Sequence, residues 1–268
     1  MATQPTPNPT LSLRQVRKVW NPGTANAMTA VDGLSLDVAP GEFVVLLGPS
    51  GCGKSSLLYM VAGLEQPTSG AIECEGVPVT APAPDRGMIF QEASLYPWLT
   101  IADNVAFGLK LRGVEAGERR ATALELLRKV GLGDAADKRP DQLSGGMRQR
   151  AALARALAMR PKVLMMDEPF AALDVQTRAK MQGHLLEVWR ESRASVLLVT
   201  HSIDEALALA DRIVVFTARP GRIKQVMHVD LPRPRSARDP RLIEMHQQLA
   251  DLLADEVDRA FDEQEAAL

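Results

Sequence analysis

The sequence predicts an α/β fold, in which a parallel sheet is interrupted by a block of helices. Apolar runs of strand length alternate with helical periodicity around Phe43–Leu47 and again at Val163–Met166, Val196–Thr200 and Arg212–Phe216, the pattern of a parallel sheet. Between these two parts, apolar residues recur with a 3.6-residue period over Ile101–Leu111, Glu118–Val130 and Gly145–Arg160. A helical lobe therefore divides a single α/β core.

The elements follow in order. Residues 1–10, MATQPTPNPT, are polar and rich in Pro and Thr, which reads as a disordered lead-in without the basic-then-apolar layout of a signal peptide. Leu11, Leu13 and Val16 suggest a first strand, Leu34–Val38 alternates, and Pro40-Gly41 turns the chain into Phe43–Leu47. Gly70–Cys74 and Gly87–Phe90 read as further short strands. After Pro232 and Pro234, a basic stretch (Arg233, Arg235, Arg238, Arg241) leads to an amphipathic helix with Leu242, Met245, Leu249, Leu252 and Leu253 on one side. The acidic tail past Ala254 is expected to fray. The expected domains are an α/β core of 11–91 and 161–231, a helical insert of 92–160, and a C-terminal helix and tail of 232–268.

Composition narrows the function. The 268 residues are 46% hydrophobic, enough for a sizeable core, and the formal net charge of −2 argues against an avid nucleic-acid partner. No apolar run approaches the roughly 18 residues of a membrane span, so a cytoplasmic location is expected. Cys52 and Cys74 form neither a disulfide framework nor a zinc site.

Gly48-Pro49-Ser50-Gly51-Cys52-Gly53-Lys54-Ser55 fits the phosphate-loop pattern GxxxxGK[ST], with a strand before it and a helical pattern, Leu57-Leu58 to Val61-Ala62, after it. Glycines let the backbone wrap a polyphosphate with its N–H groups inward. Lys54 brings a point charge to the β/γ-phosphates and Ser55 a hydroxyl to Mg²⁺, while the helix offers its positive end. These eight residues and Ser56 are the candidate nucleotide contacts. Cys52 reads as a small space-filler, with oxidative inhibition as the other possibility.

Val163–Met166 is an apolar strand that delivers Asp167 and Glu168 at its carboxyl end, where ligands of open α/β sheets bind. Asp167 would hold Mg²⁺ through its water shell, and Glu168 would orient or deprotonate an attacking water. A helix cap or turn is the other reading of such a pair. Leu143-Ser144-Gly145-Gly146-Met147, followed by RQRAALARAL, supplies a capped helix N-terminus that could also face an anion.

With these residues in place, the chain from Leu11 to about Leu231 resembles the ATP-binding cassette (ABC) family. The family signature is LSGGQ; this chain has LSGGM, and Met147 cannot make the hydrogen bonds of a glutamine. The resemblance implies a phosphate-loop α/β core with an antiparallel β subdomain and an inserted helical subdomain. It also implies a head-to-tail homodimer in which Ser144, Gly145, Gly146 and Met147 of one copy close over the γ-phosphate bound by the other. Gln91 matches the glutamine at the junction of core and lobe, which touches Mg²⁺ and the attacking water. Asp174, in Ala172-Leu173-Asp174, matches the loop that crosses the dimer, and it could equally cap the next helix. His201 matches the switch histidine at the γ-phosphate; beside it Ser202 stands where many relatives have Asp. Trp20 matches the aromatic that stacks on adenine, a core tryptophan being the alternative.

The resemblance narrows further. Leu95, Tyr96 and Trp98, just after Gln91, lie where importer cassettes receive a coupling helix of the permease, although they could pack within the lobe. FQEASLYPW, LSGGMRQR, the stretch Ala210–Ile223 and a short C-terminal helix resemble the branch that serves nitrate, sulfonate, taurine and bicarbonate importers. The implied partners are a second copy, two transmembrane permease subunits near Gln91 and Tyr96–Trp98, and indirectly an extracytoplasmic solute-binding protein. The chain would then lie on the inner face of the cell membrane, with Glu168, His201, Gln91 and Lys54 as its catalytic residues. A soluble cassette driving a non-transport assembly is the alternative.

Overall fold

A computed structural model describes residues 8–171 and 173–265; most of the lead-in, Ala172 and the last three residues lie outside the described residues. The strands are β1 (Leu11–Trp20), β2 (Met28–Val38), β3 (Phe43–Leu47), β4 (Ser69–Cys74), β5 (Val77–Pro78), β6 (Arg86–Ile89), β7 (Val163–Asp167), β8 (Ser195–Thr200), β9 (Arg212–Phe216) and β10 (Ile223–His228). The helices are α1 (Lys54–Ala62), α2 (Ile101–Leu111), α3 (Ala116–Lys129), α4 (Gly145–Ala158), α5 (Val175–Ser192), α6 (Ile203–Leu209) and α7 (Pro240–Glu265). They fall into two compact units, one of residues 1–83 with 195–268, the other of 84–194.

The first unit holds an antiparallel sheet in the order β2-β1-β4-β5. Leu11 pairs with Val38, Leu13 with Leu36 and Val16 with Leu34, and all six side chains are buried. The unit also carries the strand order β10-β9-β3-β8. Both neighbours of β3 run parallel to it, and every residue of β3 and β8 is buried, as continuous apolar strands covered on two faces require. Leu47 is in register with Thr200, so Gly48 and His201 leave the sheet at the same end.

Contrary to the expectation of a tail that frays past Ala254, α7 continues to Glu265. Its buried side is formed by Leu242, Leu249, Leu253 and Glu256, and it packs on α6 and β9. The acidic composition of this stretch conceals a buried ion pair from Lys224 to Glu256, which gives the helix a reason to persist.

In the second unit β6 and β7 pair in parallel, Ile89 beside Met166, so the chain leading to Gln91 and the acids at the end of β7 emerge together. α2 packs against α3 and α4. Ala151, Ala152, Ala154 and Ala158 are buried on α4, and such small side chains let helices approach closely. Thr100 caps α2 by accepting from the Asp103 N–H. No helix among the described residues is long and apolar enough to cross a membrane.

Candidate nucleotide site

The phosphate loop leaves β3 and ends at α1. A Cβ on Gly53 (φ 97°) would lie 2.3 Å from the Ala30 carbonyl oxygen, and one on Gly48 would lie 2.9 Å from the Phe216 Cβ, so close packing demands glycine at both positions. Lys54 is buried, and its Nζ donates to the carbonyls of Gly48 at 2.9 Å and Pro49 at 2.6 Å. The ammonium is thus drawn into the loop's concavity, where these carbonyl dipoles and the Cys52 Sγ at 3.4 Å accept its hydrogen bonds. The first turn of α1 has no acidic residue, which leaves its positive end uncompensated. Ser55, half-buried, sits in that turn beside Ser56. Together these groups fit a polyphosphate. Cys52 is 1% exposed, and burial raises its thiol pKa despite the nearby Lys54, so it stays protonated and fills space.

His201 is exposed on the loop after β8. Its neighbours are fixed by a small network: the Thr200 hydroxyl donates to buried Glu205 at 2.6 Å, the Ser202 N–H donates to Thr200 Oγ1 at 3.0 Å, and Ser202 caps α6 by accepting from the Glu205 N–H. Serine at 202 therefore keeps a defined polar role. His201 shares a cavity of about 320 Å³ with Gly48, Pro49 and Ser50, so this unit brings His201 to the phosphate loop. Trp20 is half-buried at the end of β1, with the Lys18 ammonium 4.3 Å from its ring centroid. That placement sets aside a packed-core role.

In the second unit Asp167 is buried at the end of β7, and Glu168 follows half-buried with φ 44°. A non-glycine residue in this region carries roughly 1–3 kcal/mol of strain, a feature that collects at functional sites. The Glu168 carbonyl accepts from the Ala171 N–H at 3.2 Å, a turn, and the cap of α5 is Asp174, which accepts from the N–H groups of Gln176 at 3.1 Å and Thr177 at 3.0 Å. Hydrogen bonds from Thr177 and Gln176 hold the Asp174 carboxyl below the usual range. Ser144 caps α4 through the Met147 N–H at 3.3 Å. Ser144 and Gly145 are exposed and Met147 is half-buried. A Cβ on buried Gly146 would meet Thr177 Cγ2 at 3.3 Å and Leu173 Cδ2 at 3.5 Å, so the signature segment and the start of α5 are packed together.

Gln91 is exposed, and its backbone is held by a residue that the sequence reading missed: Gln149 Nε2 donates to the Gln91 carbonyl at 2.6 Å. Arg155 donates to the carbonyls of Ser94 at 2.8 Å and Ala93 at 3.0 Å. Fully buried Asn104 accepts from the Tyr96 N–H at 2.8 Å and donates to the carbonyls of Tyr96, Leu99 and Thr100. Tyr96 packs its ring on Phe107, while Trp98 is 68% exposed. Glu205 was also missed, although Ser202-Ile203-Asp204-Glu205 carries the spacing of a capping box.

A glycine loop around a lysine at the end of a parallel strand, with a histidine beside it, defines a nucleotide triphosphatase of the phosphate-loop class. Residues 31–171 match the ABC transporter family. The chain is 54% identical over 211 residues to the taurine import ATP-binding protein TauB of Mesorhizobium japonicum, covering 79% of this chain and 82% of that one. It is 47% identical over 232 residues to the bicarbonate transport ATP-binding protein CmpC of Synechococcus elongatus, covering 85% of this chain and 35% of that longer protein. A solved dimeric ATP-binding cassette in a post-hydrolysis state, bound to ADP and Pi, superposes with a TM-score of 0.73 at 32% identity, covering 83% of this chain and all (100%) of that one. The chain belongs to the ABC transporter family and is an ATPase of that family.

Proposed function

We propose that this chain is the ATP-hydrolysing subunit of an importer for a small anionic solute of the taurine, sulfonate, nitrate or bicarbonate type. The observation that carries the ATPase reading is the buried Lys54 ammonium, held within a close-packed glycine loop that suits a phosphate chain. The similarity to a taurine import ATP-binding protein and a bicarbonate transport ATP-binding protein supports the class of transport, and the first of these its direction.

Lys54 and the loop N–H groups bind the β/γ-phosphates, and Trp20 stacks on adenine. The Ser55 hydroxyl, Asp167 and Gln91 would hold Mg²⁺, which would neutralise phosphate charge. Glu168 takes a proton from the attacking water as its oxygen bonds to the γ-phosphorus and the β–γ bridge breaks. His201 donates a hydrogen bond to the γ-phosphate oxygens. Ser144, Gly145, Gly146, Met147 and Asp174 of a second copy complete each site, so ATP closes a homodimer and hydrolysis reopens it. Closure is transmitted through Gln91 and Tyr96–Trp98 to two permease subunits at the inner face of the membrane. A solute-binding protein delivers cargo outside.

The test is Glu168→Gln. Hydrolysis should fall about a hundredfold or more, with ATP still bound and the dimer accumulating on size-exclusion chromatography. Hydrolysis at the wild-type rate would remove Glu168 from its role.

A further inference from the structure

We propose that Glu256 on α7 is a positioning residue for the nucleotide site: it fixes the turn between β9 and β10, and that turn braces the phosphate loop from behind. The inference rests on the ATPase reading and adds a part of the chain to it.

The turn is tightly bonded within itself. The Thr217 N–H donates to the Arg222 carbonyl at 3.0 Å, the Thr217 hydroxyl to the Pro220 carbonyl at 2.9 Å, and the Arg222 N–H to Thr217 Oγ1 at 3.0 Å. It then meets the phosphate loop at consecutive points. Arg219 donates to the Gly51 carbonyl from Nε and Nη2, both at 3.3 Å. Gly221 lies so close that a Cβ there would be 2.1 Å from the Cys52 carbonyl oxygen. The Gly221 N–H donates to the Ala30 carbonyl at 2.9 Å, the same oxygen that a Cβ on Gly53 would strike. Loop, β2 and turn therefore interlock, and the turn cannot shift without moving the loop's carbonyls.

Glu256 ties α7 to this assembly. It is 2% exposed, yet its carboxylate accepts from the Ala218 N–H at 2.7 Å and from Lys224 Nζ at 2.8 Å. Lys224 also donates to the Leu252 carbonyl at 2.8 Å, clamping the helix from the other side. Burial works against the charged form, but Lys224 and the Ala218 N–H prevail and keep the carboxyl below its usual range. A buried carboxylate is a costly way merely to anchor a helix, since an apolar contact would serve. The N–H that donates to it belongs to Ala218, next to the residue that grips Gly51. The helix then continues over the site, where Leu253, Val257 and Phe261 face Pro49, Ser50 and His201 across a shared cavity.

The test uses the full chain and MgATP, with Glu256→Gln and Arg219→Ala. Arg219 is exposed, so its variant keeps the fold. Glu256→Gln should raise the nucleotide Kd and the KM for ATP about tenfold, with kcat changed less than about twofold, and Arg219→Ala should raise both about threefold. The double variant should be no weaker than Glu256→Gln alone, because both act through the same turn. Wild-type nucleotide affinity in Arg219→Ala overturns the proposal, whether or not Glu256→Gln folds. So does a Glu256→Gln protein that loses thermal stability but binds nucleotide normally. The wild type is the control: if it failed to bind nucleotide, the ATPase reading would fall, whereas equal binding by all three would overturn only the role of Glu256.

Discussion

The phosphate loop and the segment from Gln91 to Thr100 are both irregular, yet they are held in opposite ways. The loop is fixed by its own glycines, by the backbone of β2 and the β9–β10 turn, and by a lysine that folds back onto the carbonyls before it. The Gln91–Thr100 segment is fixed from outside by Gln149 and Arg155 on α4 and Asn104 on α2. A loop built for one unchanging ligand carries its rigidity locally. The segment proposed as the permease contact instead hangs on side chains of α2 and α4.

The largest effect should come from breaking the self-contained loop at its charge. Lys54→Ala leaves the glycine contacts in place but removes the buried ammonium from the concavity. ATP hydrolysis should fall at least about a hundredfold, as when one preorganised donor is lost. Nucleotide binding and turnover, measured with the purified chain, report it. Unchanged affinity and rate would mean that the loop does not work through Lys54.

A smaller effect should follow from breaking the externally held segment at its most buried support. Asn104→Ala strands the Tyr96 N–H and several carbonyls, so stability should drop by about 2–3 kcal/mol. Hydrogen exchange should rise at the amides of 96–100, while MgATP affinity of the folded protein stays unchanged. A variant of wild-type stability and exchange would show that this segment also holds itself.

The same contrast explains what the sequence made legible. Gly48–Ser55 could be read because its requirements fall on consecutive residues whose types record them: positive φ, close approach, a cation. Ser144 and Asp174 were legible as caps for the same reason, their partners lying within three residues. Gln149 and Arg155 were not, because they bond to main-chain carbonyls 58 to 62 residues away, and a carbonyl is present whatever the residue. Glu256 was hidden similarly. Its partner Lys224 is 32 residues off, and one ionised carboxylate among many in an acidic stretch looks like solvated surface. The β10 strand went unread because it lies on an edge and is half-exposed, without the continuous apolar run that marks β3 and β8.

The smallest effect on the isolated chain, and the sharpest on its partner, should come from Trp98. Its ring lies 5.6 Å from that of Tyr96, but it is 68% exposed, so the fold gains little from it. Trp98→Ala should change stability by no more than about 0.5 kcal/mol, and basal hydrolysis should be unaffected. If Trp98 is an anchor for the permease, truncation should weaken the complex by about 2 kcal/mol, roughly thirtyfold. Co-purification with the permease and permease-stimulated hydrolysis would both show it. Full stimulation in the variant would place the permease contact elsewhere. In that case Gln149 and Arg155 would shape the Gln91 end of the segment for coupling, and the aromatic end held by Asn104 would have no part in it.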